Sequence, residues 1–600
     1  MKERILNNPL IFLTMRLWRS SEGRRSLVAL YMLMSAISMG FQLATPLIMA
    51  ELLNAAQAAA YEGQMRYCAW LLVAVVFMGV GMWLFHGPSR VIEQVGAFCA
   101  RRDLQSELLI KVTKLPVRWH HAHHSGETID RVGRASQSLG DFATETFQDL
   151  GVVTRYVGSI LLLSYFMPLA GLFIVAATLV TLGTVLAFDR KLVPLYEESN
   201  RRTNKVAAAV QDYLTNVTTV ISLRLEDRVV REVNGKMDVL RPLYRKTAIM
   251  NETKWFSANV LVDVTRVSVL MAYLWSTLGH GKQVEIGTLY ALKEYLSSIG
   301  NSFFMFTWRY GDWVLKATKL RAIDFISEDF EREVGPAASA KLPQGWRELQ
   351  LKGLRFSHVV ESGTPAGLFG VDLQLERGKS YALIGESGSG KSTLLSVLRG
   401  IQQAQEGAVF CDGELVEHGM AAVSHHTTLI PQEPEIFADT VLFNVSMGIE
   451  APEGAVSQAL HMARFADVLK RLPRGLETNI AEKGVSLSGG EKQRLALARG
   501  LFFAGDRDSE VILLDESTSS VDVSNERMIY ESILGHFKSR VVVSAVHKFN
   551  LLDLFDEIIV MEGGKVIERG TLHSLLERGG RFSELWEKYA RTTSQIRAVV

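Results

Sequence analysis

Long stretches without a charged side chain set the first limit on what this chain can become. Ser26 to Ala50 and Tyr67 to Ser89 contain no Lys, Arg, Asp or Glu, and Tyr156 to Phe188 carries the same pattern past Pro168. A helix needs about 20 apolar residues to cross a hydrocarbon layer about 30 Å thick. The first two runs meet that length once each. The third is long enough for two crossings joined by a tight hairpin at Pro168, the first beginning near Leu150. Two more spans are expected, from about Trp255 to Leu278 and from about Ile286 to Trp308, the last interrupted by Lys293 and Glu294. The expectation is an α-helical domain with six spans.

Orientation follows from the basic residues, which favour the cytoplasmic side. Arg90 to Arg134 holds eight Lys and Arg and Asp189 to Lys254 holds thirteen, whereas the connections near Gln57, Pro168 and Lys282 hold almost none. Both long connections and both termini are therefore expected in the cytoplasm. The connections are amphipathic and helix-like, as in Val91 to Leu115, and should prolong the membrane helices. The first apolar run is too long for a cleavable signal peptide and lacks its flanks. With 48% apolar residues and a mean hydropathy of +0.12, yet 22% charged residues, the chain must be unevenly divided. A net charge of +1 argues against nucleic acid as a partner. Three well-separated cysteines exclude a disulfide scaffold and a Cys-based zinc site.

Polar residues inside the spans can be structural or functional. Asp263 and Arg266 are three apart and share a helix face, so they can pair with each other or line a substrate cavity. Lys293 and Glu294 pose the same alternatives. His120, His121, His123 and His124 could place two metal ligands on one face, but no nearby carboxylate or cysteine completes a set, which favours a polar turn.

From about Leu349 the pattern changes to short apolar runs and glycine-rich turns, an α/β arrangement. The buried-strand pattern Tyr381-Ala382-Leu383-Ile384 runs into Gly385-Glu386-Ser387-Gly388-Ser389-Gly390-Lys391-Ser392, followed by a helical pattern from Thr393. This is the phosphate loop GxxxxGK[ST] in its strand–loop–helix setting. Its glycines let backbone N–H groups face the phosphates, Lys391 supplies charge to the β- and γ-phosphates, and Ser392 can ligate Mg²⁺. The following helix adds its positive end. A second apolar strand, Val511 to Leu514, ends in Asp515-Glu516. Asp515 can reach the metal shell, and Glu516 is placed to orient or deprotonate the attacking water.

Leu487-Ser488-Gly489-Gly490-Glu491, followed by Lys492-Gln493-Arg494, resembles the signature motif of ATP-binding cassette (ABC) proteins. With six preceding spans, the whole chain resembles an exporter-type half-transporter. The resemblance implies an α-helical six-span domain over residues 1–325 and a linker over 326–348. An α/β P-loop ATPase domain of ABC type over 349–590 and a tail over 591–600 complete the layout. It implies ATP and Mg²⁺ as cofactors, with Gln432 as the loop glutamine near Mg²⁺ and the water. Asp522 matches the D-loop aspartate, and His547, after Val541-Val542-Val543, the switch histidine. Thr478 to Gly484, with Glu482, resembles the cross-linking loop of exporters.

Two positions depart from the family. His358 stands where an aromatic residue usually stacks on adenine; imidazole can stack too, over less area. Glu491 replaces the commoner glutamine of the signature and is expected to face solvent.

In the family each ATP lies between the phosphate loop of one cassette and the signature of another. One cassette and six spans therefore imply a second half-transporter chain, most simply in a homodimer with Ser488, Gly489 and Gly490 closing the partner's site. The implied function is ATP-driven export or flipping of an amphipathic substrate — a lipid, drug, peptide or glycoconjugate — by alternating access. The tips near Trp119 to Glu127 and Thr215 to Leu223 are the expected coupling contacts. An importer built on the same fold and a non-transporting membrane regulator stay open as alternatives, and a bacterial inner membrane is the expected location.

Overall fold

The computed structural model describes residues 8–58, 62–123, 125–334, 342–357, 366–417, 419–480, 487–507 and 509–599. They divide into two compact units, residues 1–113 with 125–329 and residues 114–124 with 330–600. His358 and Glu482 lie outside the described residues.

The first unit is helical. Its long elements are α1 (Arg25–Gln57), α2 (Glu62–Lys114), then, past the short tip helix α3 (Val117–Ala122) of the second unit, α4 (Ser125–Phe166) and α5 (Pro168–Thr215). A second tip helix, α6 (Val217–Ser222), precedes α7 (Arg241–Gly279) and α8 (Ile286–Arg321). The amphipathic stretch after Ser89 continues α2 without a break, as the lack of breakers predicts. Met167 separates α4 from α5, and Pro168 opens α5, where its missing N–H costs nothing.

The six expected spans fall on α1, α2, α4, α5, α7 and α8. Among the described residues, four helices are long and apolar enough to cross a membrane, and α4 and α8 are not among them. The reason is local: α4 carries Asp149 and Arg155 around its apolar stretch, and α8 carries Lys293, Glu294 and Arg309.

Two of those charges, Asp149 and Arg309, organise the packing of α4 against α8. The Arg309 side chain, 2% exposed, meets Asp149 at 2.5 Å and Glu145 at 2.7 Å. Trp313 Nε1 donates to the second Asp149 oxygen at 3.0 Å, and Lys316 pairs with Glu145 and Asp312. Elsewhere large apolar side chains such as Trp70, Leu161 and Trp275 stand outward, where lipid replaces water as the neighbour.

In α3, Trp119 is buried and stacks on His123 at 4.2 Å, and His123 Nδ1 lies 2.9 Å from the Trp119 carbonyl. No group of three or more His, Cys, Asp or Glu able to hold a metal occurs among the described residues.

The second unit is built on two sheets. Strands β1 (Glu348–Ser357), β2 (Gly367–Glu376), β4 (Glu406–Cys411) and β5 (Glu414–Leu415) form an antiparallel sheet in the order β2-β1-β4-β5. The larger sheet runs β10-β9-β3-β8-β7-β6, comprising β3 (Ser380–Ile384), β6 (Thr427–Ile430), β7 (Val511–Asp515), β8 (Val541–Ala545), β9 (Glu557–Glu562) and β10 (Lys565–Gly570). All its pairings are parallel except β9 with β10. β3, β7 and β8 are buried at every residue, which is why each reads as an unbroken apolar run. One hydrophobic cluster covers each face of this sheet.

Around the sheet stand α9 (Lys391–Leu398), α10 (Gly489–Asp506), α11 (Val523–His536) and α12 (Arg581–Val599). The segment expected as linker begins inside a helix, Asp324–Val334, and α12 runs on beyond residue 590.

Candidate nucleotide site

In parallel sheets ligands bind beyond the carboxyl ends of the strands. Here three adjacent strands, β3, β8 and β7, bring Leu383, Ala545 and Asp515 into one row. The loops leaving that row are the phosphate loop and those that carry His547 and Glu516, so Ser392 and Asp515, 123 residues apart in sequence, become neighbours.

The loop Gly385 to Gly390 needs its glycines. Gly388 and Gly390 hold φ of +81° and +102°, and a Cβ on Gly385 would collide with the Met561 carbonyl. Lys391 begins α9, is 5% exposed and curls over the loop, donating from Nζ to the Gly385 carbonyl at 2.8 Å and the Glu386 carbonyl at 3.2 Å. Burial holds its ammonium below the usual lysine range, against the opposing pull of Glu516 and Asp515. Ser387 and Ser389 lie within the loop, the Ser389 hydroxyl buried with no hydrogen-bond partner, and Thr393 follows in the first turn of α9.

Ser392 Oγ donates to Asp515 Oδ1 at 2.9 Å. Burial raises the Asp515 carboxyl above the ordinary range, partly offset by Ser392 and Lys391. Glu516 takes a left-handed backbone, φ +46°, unusual outside glycine. Its carboxylate is engaged on both oxygens: Gln432 Nε2 donates to Oε2 at 2.9 Å, and His547 Nε2 meets Oε1. The Ser392–Asp515 pair and the Gln432–Glu516–His547 group thus meet at the Asp515–Glu516 peptide bond beside Lys391.

The oxygens fit Mg²⁺. The Ser392 hydroxyl and the Asp515 carboxylate oxygen, 2.9 Å apart, with the Gln432 amide held on the adjacent Glu516, are the hard oxygen donors this ion takes alongside phosphate oxygens.

Ser488 stands apart. It is the exposed N-cap of α10 and forms a capping box: its amide donates to Glu491 Oε2 at 2.8 Å, and its hydroxyl accepts from the Glu491 amide. It makes no hydrogen bond to the Lys391–Glu516 cluster. Glu491 also pairs with Arg471, so the expectation that it faces solvent is corrected: the carboxylate turns back on its own helix. The Ser488 backbone N–H, aided by Arg471, holds the Glu491 carboxyl below the ordinary carboxylate range. Gly489 is open, whereas a Cβ on Gly490 would stand 2.7 Å from the Ser520 carbonyl, so glycine is required there. Asp522 caps α11, accepting from the Asn525 amide at 3.0 Å.

Sequence reasoning passed over the residue that ties these loops together. Gln493, 3% exposed, donates toward the carbonyls of Gln432 and Glu516 and to Ser519 Oγ, and its own oxygen accepts from the Ser520 amide at 2.7 Å. Its position in the signature run was visible, but its four partners lie 23 to 61 residues away and no spacing rule links them. Lys548, next to His547, is fixed by Glu526 at 2.9 Å.

Comparison with known proteins agrees with this geometry. The family described as "ABC transporter transmembrane region" matches residues 28–303, and the one described as "ABC transporter" matches residues 368–519. The chain is 26% identical to ATP-binding cassette sub-family B member 6 of Mus musculus over 97% of its length and 69% of that protein. It is also 26% identical to the ATP-dependent lipid A-core flippase of Idiomarina loihiensis, covering 80% of this chain and 82% of that one. The solved structure of a bacterial Atm1-family ABC exporter with ATP bound superposes with a TM-score of 0.76 at 23% identity, over 94% of this chain and 99% of the other.

Proposed function

The chain belongs to the ABC transporter family, with membrane domain and ATPase in one polypeptide, and on that premise we propose that two copies form an exporter moving an amphipathic substrate out of the cytoplasmic leaflet or cytoplasm. It is a multi-pass membrane protein and an ATP hydrolase coupled to transmembrane transport. The observation that carries the two-chain reading is the division of the nucleotide site. Ser392 with Asp515, and Gln432 and His547 with the adjacent Glu516, gather beside Lys391, while Ser488 is locked in its own capping box and makes no hydrogen bond to them. A second copy supplies Ser488, Gly489 and Gly490 at a helix N-terminus, an electrostatic complement to the γ-phosphate.

In the reaction Lys391 exchanges its two carbonyl contacts for the β- and γ-phosphates. Ser392, Asp515 and Gln432 would hold Mg²⁺, which when bound neutralises charge on the phosphate oxygens. Glu516 orients the attacking water and accepts its proton. His547 leaves the Glu516 carboxylate to hydrogen-bond the γ-phosphate, so one movement both frees the base and reads the nucleotide. Closure of the two cassettes draws on the tips at α3 and α6, and both termini lie on the cytoplasmic side, in a bacterial inner membrane. A lipid, amphipathic drug, peptide or glycoconjugate suits a largely apolar bundle in which Arg266, paired with the exposed Asp263 at 3.0 Å, lines a small cleft between α5, α7 and α8.

The test uses the protein in proteoliposomes with a fluorescent short-chain phospholipid and dithionite quenching. ATP should move the probe away from the cassette side, and Glu516→Gln should not. Probe movement toward the cassette side would overturn export and favour an importer.

A further inference from the structure

The last helix of the second unit touches both loops that read the phosphates. α12 begins where the Glu568 carboxylate of β10 accepts from the Arg581 amide at 2.6 Å and the Phe582 amide at 3.1 Å, which fixes its start. From there its sequence divides into two faces. Arg581 and Lys588, seven residues apart, lie on one; Phe582, Trp586 and Tyr589, spaced four and three, lie on the next.

The basic face meets the phosphate loop. Lys588 Nζ lies 3.0 Å from Glu386 Oε1, and Arg581 lies 3.9 Å from Glu386 Oε2 while binding Glu562 at 2.8 Å. Glu386 is the second residue of the loop, and Lys588, then Arg581, holds its carboxyl below the ordinary range. The aromatic face meets Phe549, two residues beyond His547. Phe549 stacks on Tyr589 at 5.0 Å and on the fully buried Phe582 at 6.3 Å, and Trp586 packs edge-on at 5.9 Å. Tyr589 Oη also lies 3.5 Å from Asn550 Oδ1.

We propose that α12 is a brace that holds the phosphate loop and the switch loop in register, with Lys588 acting on ATP through Glu386 and Trp586 acting on His547 through Phe549. Lys588 and Trp586 are positioning residues that never touch the nucleotide. The two contacts make different contributions. The Lys588–Glu386 pair is exposed, so its effect is small. The aromatic contact is half-buried around the fully buried Phe582 and resists displacement of the loop that carries His547.

The test is made on the full-length dimer in nanodiscs, and it rests on ATP hydrolysis alone, so it is independent of the substrate and of transport direction. Lys588→Ala should raise KM for ATP about two- to five-fold with kcat little changed, and Lys588→Arg should restore the parent value. In a Glu386→Gln background the same Lys588→Ala change should have no effect. Trp586→Leu should lower kcat several-fold, Trp586→Phe should retain it, and thermal midpoints are measured alongside. An equal KM effect of Lys588→Ala in both backgrounds would mean that the lysine acts on ATP directly, which overturns the brace. A Trp586→Leu variant with a lowered midpoint but parental kcat and KM would do the same for the aromatic contact.

Discussion

The two units of this chain solve opposite solvent problems. In the cassette, apolar residues lie inside two dense clusters on either face of a sheet, and polar side chains gather at one end of the strands. In the helical unit many large apolar residues face outward, and the best-connected polar group, Asp149 with Arg309 and Trp313, sits inside. The cassette therefore keeps its chemistry in loops held by apolar packing, whereas the helical unit uses buried polar contacts as packing. A polar substitution at the strand ends should cost activity and little stability; one in the helical unit should cost stability first.

The largest effect expected on the cassette side comes from Glu516→Gln. The amide keeps the shape and can still meet Gln432 and His547, but it cannot take a proton. Loss of a general base costs about 10²–10⁴-fold in rate. ATP binding and the thermal midpoint should stay near parental values, read by nucleotide binding and unfolding of the purified protein. Hydrolysis within a few-fold of the parent would remove Glu516 from its role.

Asp149→Ala is the counterpart in the helical unit. It leaves Arg309 buried without its main partner, and breaking a buried pair on one side costs about 3–5 kcal/mol. A marked drop in thermal midpoint and in folded yield is expected. Joint replacement by Asp149→Leu and Arg309→Met should recover most of the loss, because no charge is then left stranded. If Asp149→Ala unfolds no more readily than the parent, the contrast between the units fails.

That contrast also explains how much could be read in advance. The phosphate loop was legible because backbone geometry dictates residue type: φ of +81° and +102° at Gly388 and Gly390 select glycine, and fully buried strands select unbroken apolar runs. Among the described residues, the four helices long and apolar enough to cross a membrane were legible from their long apolar runs. The Asp149–Arg309 contact was not, since its residues are 160 positions apart and either alone looks like an interruption of a span. Gln493 was hidden in the same way, and Glu491 was misread because solvent seemed the natural place for a carboxylate, whereas the N-cap amide of Ser488 was nearer. Local rules reach as far as one turn or one strand; contacts made by topology lie beyond them.

Shared sites give a third test, of intermediate size. Lys391→Ala and Ser488→Arg are each expected to be inactive. Co-reconstituted, a mixed dimer carries both lesions in one site and none in the other. ATPase activity should return to about a quarter of the parent rate if half of the dimers are mixed and the two sites act independently. A mixture of Lys391→Ala with the parent measures the activity of one intact site. If that control works and the two-variant mixture stays inactive despite verified mixed dimers, the two-chain site is wrong.

The smallest effect tests Glu491, a carboxylate that sits where it should repel phosphate. Glu491 lies one turn into α10, and its charge would oppose the γ-phosphate brought to Ser488 by the partner. Two contacts answer that problem: the Ser488 amide takes one oxygen and Arg471 the other. Arg471→Ala should therefore weaken ATP-dependent closure about two- to five-fold, the range of an exposed ion pair. Glu491→Gln keeps an oxygen for the Ser488 amide and removes the charge, so it should stay near parental activity and cancel the effect of Arg471→Ala. Glu491→Ala loses the cap and should cost about 1 kcal/mol of stability. The pH dependence has a definite sign. The carboxyl is held below its unfolded value, so its contribution is complete above the unfolded carboxylate range near pH 4.3, starts to decline below it and is lost as pH falls through the lower folded value. The stability difference between parent and Glu491→Ala should be constant from pH 6 to 8 and shrink toward pH 4. A difference unchanged at pH 4 would mean that the capping box holds Ser488 without the charge.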